Sequence, residues 1–178
     1  MEIQNNFFNI NISSEIPKEE LDYIQQILTC LENTYKSTDK EIRKKSELFL
    51  KQAEKNLFSH LIQIFSFIKY NTLSKELNNA FIIFIRNSII NKKNSNLLSK
   101  DNYIELIMLI INIIIDPKYP PQCLREMNKI FEEIIDNKEF IKDKTFMKNF
   151  INLFASKLKI GLIQVHSYKS IAYIFENI

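Results

Sequence analysis

The residues that could carry catalytic or metal chemistry in this chain are few and far apart. His60 and His166 have no Cys, Asp or Glu placed at the spacing that metal ligands require, so no metal site is predicted. Ser13 and Ser14 have no neighbouring base that could activate a hydroxyl. A phosphate-binding loop needs several glycines, and the only glycine in the chain is Gly161. These residues predict no nucleophile, no metal site and no cofactor.

The densest acidic group consists of Glu132, Glu133 and Asp136. Paired carboxylates can work as general acid and general base. Because Lys129 lies close by in sequence, a solvated helix face explains this group more simply. We therefore predict that the chain is not an enzyme. An enzyme on an all-helical fold stays the weakest hypothesis, because catalytic groups from distant positions can be assembled in space.

Charge and hydropathy exclude two classes of partner. The net charge is only +3, and the densest basic run is Arg43 to Lys45, which is too short for the clustered basic face of a nucleic-acid binder. The longest apolar stretch, 106–115, is interrupted by Asn112 and is far shorter than the ~20 residues of a membrane span. We predict that the chain binds no nucleic acid, does not insert into a membrane and is intracellular. Cys30 and Cys123 are then expected to be free thiols.

The scarcity of glycine predicts an all-α fold, because sheet proteins use many glycine-containing turns. Apolar residues recur every three or four positions along most of the chain, which is the period of amphipathic helices. Residues 1–16 are expected to form a flexible N-terminal arm. The spacing predicts eight helices, over about 17–35, 41–56, 59–70, 74–91, 101–115, 122–136, 144–159 and 165–177.

Helix starts and buried seams can also be predicted. Ser14, Ser74 and the Thr38–Glu41 capping box are the expected N-terminal caps. The predicted seam of the first helix is Leu21, Ile24, Leu28, Leu31 and Tyr35. The predicted seam of the second helix is Ile42, Phe49, Ala53 and Leu57, with Leu50 beside it.

Amphipathic helices alternate with more apolar ones, and the pairs recur roughly every 35–45 residues, which is the period of HEAT and armadillo repeats. The expected architecture over 17–178 is an α-solenoid of about four antiparallel helix pairs (HEAT/ARM-like repeats). A plain helical bundle fits the periodicity equally well.

Three stretches resemble the amino-terminal repeats of the karyopherin-β family, the importin-β and exportin proteins. They are "LENTYKSTDKEIRKKSELFLKQAE", "ELNNAFIIFIRNSIINKK" and "LREMNKIFEEIIDNKEF". The order and spacing are similar to the branch of the exportin that recycles importin-alpha and the larger related importins. The residues at matching positions are Arg43, Glu47, Leu50, Ala80, Arg86, Asn87 and Phe140. The chain departs from the family in lacking its tryptophans and in having Ile141 where a proline is usual.

The resemblance implies a segment of a nuclear transport receptor that shuttles between nucleus and cytoplasm. Its inner helices would bind the GTP form of the small GTPase Ran, while cargo, importin-alpha and nucleoporins would bind repeats beyond this segment. The candidate Ran-contacting residues are Gln63, Lys69, Asn102, Glu105, Lys148 and Asn152. The C-terminal end would present an uncapped apolar face of Ile160, Leu162, Ile163 and Ile174. The alternative is a HEAT/ARM-like scaffold or adaptor unrelated to transport.

Overall fold

The computed structural model describes residues 16–91, 100–114, 116, 118–135, 148 and 152. All regular structure within these residues is helical, which confirms the predicted all-α class. The elements are α1 (Lys18–Lys36), α2 (Lys40–Asn56), a 3-10 helix (Leu57–His60), α3 (Leu61–Tyr70), α4 (Lys75–Ile90), α5 (Lys100–Ile114) and α6 (Pro121–Ile135). No helix in the described part of the chain is both long and apolar enough to cross a membrane.

The buried face of α1 differs from the predicted seam at its C-terminal end. Ile24 and Leu28 are fully buried as expected, and Ile27 joins them between the two. Tyr35 is 47% exposed, so its predicted place in the seam is wrong. The reason is its position in the last turn of α1, where the chain leaves for α2. The predicted cap Ser14 lies outside the described residues.

The predicted capping box at the start of α2 is also wrong. Asp39, not Thr38, is the N-cap: its Oδ1 accepts hydrogen bonds from the backbone N–H of Glu41 at 2.8 Å and of Ile42 at 3.4 Å. Because α2 begins at Lys40, Thr38 lies one residue too early to reach these N–H groups.

The seam of α2 is narrow, and it is centred on small residues. Ser46, Leu50 and Ala53 are buried, and Phe49 is partly buried and packs against the core. Ile42 is 44% exposed, so its predicted place in the seam is wrong. It lies in the first turn of α2, ahead of the buried positions. A charged helix can therefore pack closely on α1 through a thin line of small and apolar side chains.

The helices pack around one core, and both consecutive and alternate helices are in contact. α1 packs on α2, α3 packs on α5, and α4 packs on α6. α5 and α6 also contact each other, and α1 contacts α4. The largest fully buried side chains in this core are Phe65, Phe67, Phe81 and Phe131.

The starts of α3 and α4 show one difference and one agreement with the sequence. The third predicted helix is divided, because the 3-10 helix precedes α3 and buries Leu57. Ser74 caps α4 as predicted, since its Oγ accepts a hydrogen bond from the N–H of Leu77 at 3.3 Å.

The predicted break at 116–121 forms the tight connection between α5 and α6. The N–H of Tyr119 donates to the carbonyl of Asp116 at 3.3 Å. The Tyr119 hydroxyl donates to the carbonyl of Ile68, which attaches this connection to the C-terminal part of α3.

Several predictions fall on residues outside the described part. These are residues 1–15 of the arm, the seventh helix apart from Lys148 and Asn152, the eighth helix, Phe140, His166 and the apolar C-terminal group. Ile16, the last residue of the predicted arm, is partly buried against the core.

Candidate functional site

The predicted contact residues on α3 do not share one face. Gln63 is half-buried, and its Oε1 is fully buried with no hydrogen-bond partner among the residues that the structure describes. The Lys69 ammonium donates to the Tyr70 hydroxyl at 3.1 Å and lies 4.7 Å from the centre of the Tyr70 ring. Six positions separate Gln63 and Lys69, which places them about 120° apart around the helix axis. A single partner surface lying on α3 cannot contact both in the same way.

The predicted residues on α5 are better placed. Asn102 and Glu105 are both exposed and stand three positions apart, so they lie about 60° from each other around the helix. Ile104, between them in sequence, is 38% exposed. Lys148 and Asn152 are exposed residues in helical conformation. On α5 the predicted contact residues are therefore exposed on one side of the N-terminal half of the helix.

The marker residues of α2 have different environments. Leu50 is buried against the core, Arg43 is half-buried and Glu47 is exposed. Leu50 therefore contributes to packing, while Glu47 is free to contact solvent or a partner.

The marker residues of α4 form a polar link to α6. The Arg86 guanidinium donates to Asn87 Oδ1 from Nε at 3.3 Å and from Nη2 at 2.9 Å. Its Nη1 forms an ion pair with Glu126, which also accepts a hydrogen bond from Lys129 Nζ at 3.0 Å. Ala80 is half-buried on the same helix. Arg86 thus holds α4 to α6, and it is not free for a ligand.

Glu126 is the residue in this link that the sequence did not single out. Burial pushes the pKa of its carboxyl upward, but the hydrogen bond from Lys129 and the charge of Arg86 outweigh this and lower the pKa below its ordinary value. The Glu126 carboxylate is therefore held in its charged form, and its role is to pair with Arg86. No sequence signal pairs it with Arg86, because the two are 40 residues apart.

His60 is the one described histidine, and it takes part in packing. Its Nδ1 lies 2.7 Å from Glu20 Oε2, and its ring centre lies 4.6 Å from that of Tyr23. The Tyr23 hydroxyl donates to the carbonyl of Ala53 at 3.3 Å. Burial, with the charge of Glu20, raises the pKa of Tyr23. This cluster ties α1 to the 3-10 helix and to α2.

The two cysteines are free, and neither is activated. Cys123 is buried and Cys30 half-buried, and burial raises the pKa of both thiols. Across the described residues, no three His, Cys, Asp or Glu side chains are grouped so that they could hold a metal ion.

Among the described residues, exposed polar side chains lie on the N-terminal half of α5, which packs on α3. Such a surface can bind another macromolecule through hydrogen bonds and charges. No protein-family model, no curated protein and no solved structure matches this chain.

Proposed function

We propose that this chain is a protein-binding segment built from HEAT-like helix pairs, and that it serves a nuclear transport receptor by binding Ran in its GTP form. The observation that supports this most is the packing of alternate helices, α3 on α5 and α4 on α6. In an α-solenoid, helices of the same layer stack on each other in this way. Ran as the partner is inferred from the resemblance in α2, α4 and α6.

In this proposal α3 and α5 belong to the inner layer and α2, α4 and α6 to the outer layer. An inner layer offers extended area without a deep pocket, which suits a large protein partner. In the proposed arrangement the two layers contact each other where α1 packs on α2 and where α5 packs on α6. A partner that bound the inner layer would thereby change the spacing of the outer one, which is how binding would alter the curvature of the solenoid.

Glu105 is the residue of this surface best suited to a test. It is an exposed carboxylate on α5, so a cationic group of the partner could pair with it. Charge pairs at the rim of an interface mainly affect the association rate, and their reversal introduces repulsion. Reversing the charge of Glu105 should therefore weaken binding without disturbing the core.

The test measures binding of the chain to immobilised Ran locked in its GTP form and in its GDP form. We expect binding to the GTP form only, and at least about tenfold weaker binding for Glu105→Lys, since ~1.4 kcal/mol corresponds to tenfold. Glu133→Lys, which makes the same charge change at an exposed position of α6, is the matched control and should bind like the wild type. Equal binding of both nucleotide forms, or none, would remove the transport function.

A scaffold or adaptor unrelated to transport is the second candidate, and the exposed side of α2 favours it. Leu48 is 59% exposed there, between the exposed lysines Lys44 and Lys51. This side lies away from α3 and α5, so a partner bound on it would need no nucleotide switch. Binding partners that are lost with Leu48→Asp but kept with Glu105→Lys would support this candidate.

A further inference from the structure

The positive charge of this chain is concentrated on α2. The helix carries six Lys or Arg and three Glu side chains, which gives it a net charge of +3, and the net charge of all 178 residues is also +3. The acidic and basic side chains of the remaining residues therefore balance. Four exposed lysines of α2 lie within about 60° of arc around the helix axis, and we call them the lysine ridge. They are Lys40, Lys44, Lys51 and Lys55.

The lysine ridge points away from the core. It lies on the side of α2 opposite the buried residues Ser46 and Ala53. Lys40, Lys44 and Lys51 form no ion pair with any residue that the structure describes. The ridge is about 22 Å long, because it extends over about 15 residues of a helix that rises 1.5 Å per residue. A line of like charges creates a positive potential, which attracts an acidic partner.

Leu48 places an apolar side chain in the middle of the ridge, between Lys44 and Lys51. It is 59% exposed, more than any other large apolar side chain of the described residues. Single-stranded nucleic acids stack their bases on aromatic side chains, but Phe49, the one aromatic residue of α2, is partly buried against the core. Helices that bind membrane surfaces expose a broad apolar face, whereas this ridge has a single leucine. A polypeptide with acidic residues on both sides of an apolar one fits the ridge better.

We propose that the lysine ridge binds an acidic amphipathic helix of another protein, with carboxylates opposite the lysines and one apolar side chain on Leu48. The lysines follow one another at intervals of four, seven and four residues. Carboxylates at the same intervals on a partner helix stand about 6, 10 and 6 Å apart along its axis, so all can face a lysine at once. On one face of an extended strand the side chains repeat every ~7 Å, which does not match the middle interval.

The borders of the ridge restrict where such a helix can lie. Glu41 and Glu47 are both exposed, and they stand on opposite sides of the ridge within about 40° of its edges. Their charges repel an acidic partner that lies to either side, so the favourable position is along the lysines. This inference names the class of partner for the second candidate function and rests on the exposed side of α2 described there.

The test measures binding of three fluorescent alanine-based helical peptides to the full chain by fluorescence anisotropy. The acidic peptide carries four Glu at intervals of four, seven and four residues and one central Leu. The scattered peptide has the same composition with the Glu residues spread around the helix, and the basic peptide has Lys in place of Glu. We expect saturable binding of the acidic peptide, at least about fivefold weaker binding of the scattered one and none of the basic one. Raising NaCl from about 50 to about 200 mM should weaken the acidic peptide at least about fivefold.

Two variants and a matched control locate the binding surface. Lys51→Glu should weaken the acidic peptide at least about fivefold, and Leu48→Gln at least about threefold. Lys45→Glu makes the same charge change at an exposed position of the same helix, about 100° away from the ridge, and should weaken binding less than about twofold. All three positions are exposed, so the variants should keep the circular dichroism spectrum of the wild type.

Four results would each overturn the proposal: no saturable binding of the acidic peptide, equal binding of the scattered peptide, equal losses for Lys45→Glu and Lys51→Glu, or tighter binding of single-stranded DNA or phosphatidylserine vesicles. Lys51→Glu should bind Ran like the wild type, so a failure of peptide binding is separable from a failure of Ran binding. Partners that are lost with Leu48→Asp but contain no acidic helix would keep the scaffold function and contradict this inference alone.

Discussion

Arg86 on α4 and Glu126 on α6 form an ion pair that links two helices across 40 residues of sequence. Their side chains are 24% and 15% exposed, so the pair is largely withdrawn from water. Asn87 and Lys129 complete the hydrogen bonding of the two charges. The link is the polar counterpart of the apolar contacts between α4 and α6.

Replacing Arg86 should destabilise the fold. Arg86→Met keeps the aliphatic length but leaves Glu126 partly buried, with Lys129 as its only charged partner among the described residues. We expect the free energy of unfolding to fall by about 1–3 kcal/mol, the cost of leaving a buried polar group poorly paired. Urea denaturation followed by circular dichroism measures this. Lys36→Met, which removes an exposed ion pair with Glu32, is the control and should leave the urea midpoint unchanged.

The same link predicts a dependence of stability on pH. Because the folded state lowers the pKa of Glu126 below its ordinary value of 4.5, its charge contributes stability above that pH, and the contribution is lost as the pH falls through the folded pKa. The wild type should therefore be more stable than Glu126→Gln at roughly pH 6, and the difference should shrink toward roughly pH 3. Unfolding curves of both proteins at the two pH values check this. A difference that grew on acidification would contradict the assignment.

The cap of α2 distinguishes Asp39 from Thr38. Asp39→Ala removes the acceptor of two backbone hydrogen bonds and should cost about 1 kcal/mol, whereas Asp39→Ser should restore most of the loss. Thr38→Ala should have no effect on the urea midpoint, although the sequence pattern places the cap there. A larger loss for Thr38→Ala than for Asp39→Ala would show that the helix begins one residue earlier.

The seam of α2 offers a second matched pair. Leu50 is 9% exposed and Ile42 is 44% exposed on the same helix. Leu50→Ala should destabilise the chain by about 2–3 kcal/mol, because it leaves a cavity between α2 and the core. Ile42→Ala should stay within about 0.5 kcal/mol, as surface substitutions do. Thermal and urea unfolding of the two variants would measure the contrast, and equal losses would mean that Ile42 is covered in solution.

Helix positions could be predicted closely because the signals are local. The three- and four-residue spacing of Ile24, Leu28 and Leu31 defines α1, and Ser74 caps α4 where its sequence position indicates. The proline-rich break before α6 also ends one helix and starts the next as expected. The errors lie at helix ends, at Thr38, Tyr35 and Ile42. There the sequence pattern still fits a cap or a buried position, but Tyr35 and Ile42 are not covered by a neighbouring helix.

The candidate site could be predicted only in part. Asn102 and Glu105 are exposed and close together as the pattern of α5 requires, because both belong to one helix. Gln63 is directed partly into the interior, with Oε1 buried, which no helical period of α3 could indicate. A cleft that includes Asn78 lies between the C-terminal end of α3, the start of α4 and the connection from α5 to α6. It could not be predicted from the sequence, because residues from three separate parts of the chain form it.

The sequence by itself determined the secondary structure of this protein, because the scarcity of glycine, the helical period of the apolar residues, the caps and the prolines all act within a few residues. Only the tertiary structure decided which helices became neighbours. Arg86 contacts Glu126, Glu20 contacts His60, and Asn78 is buried beside Cys123, because elements distant in sequence pack on one core. Such contacts depend on the shape of both surfaces, and a local pattern describes only one of them.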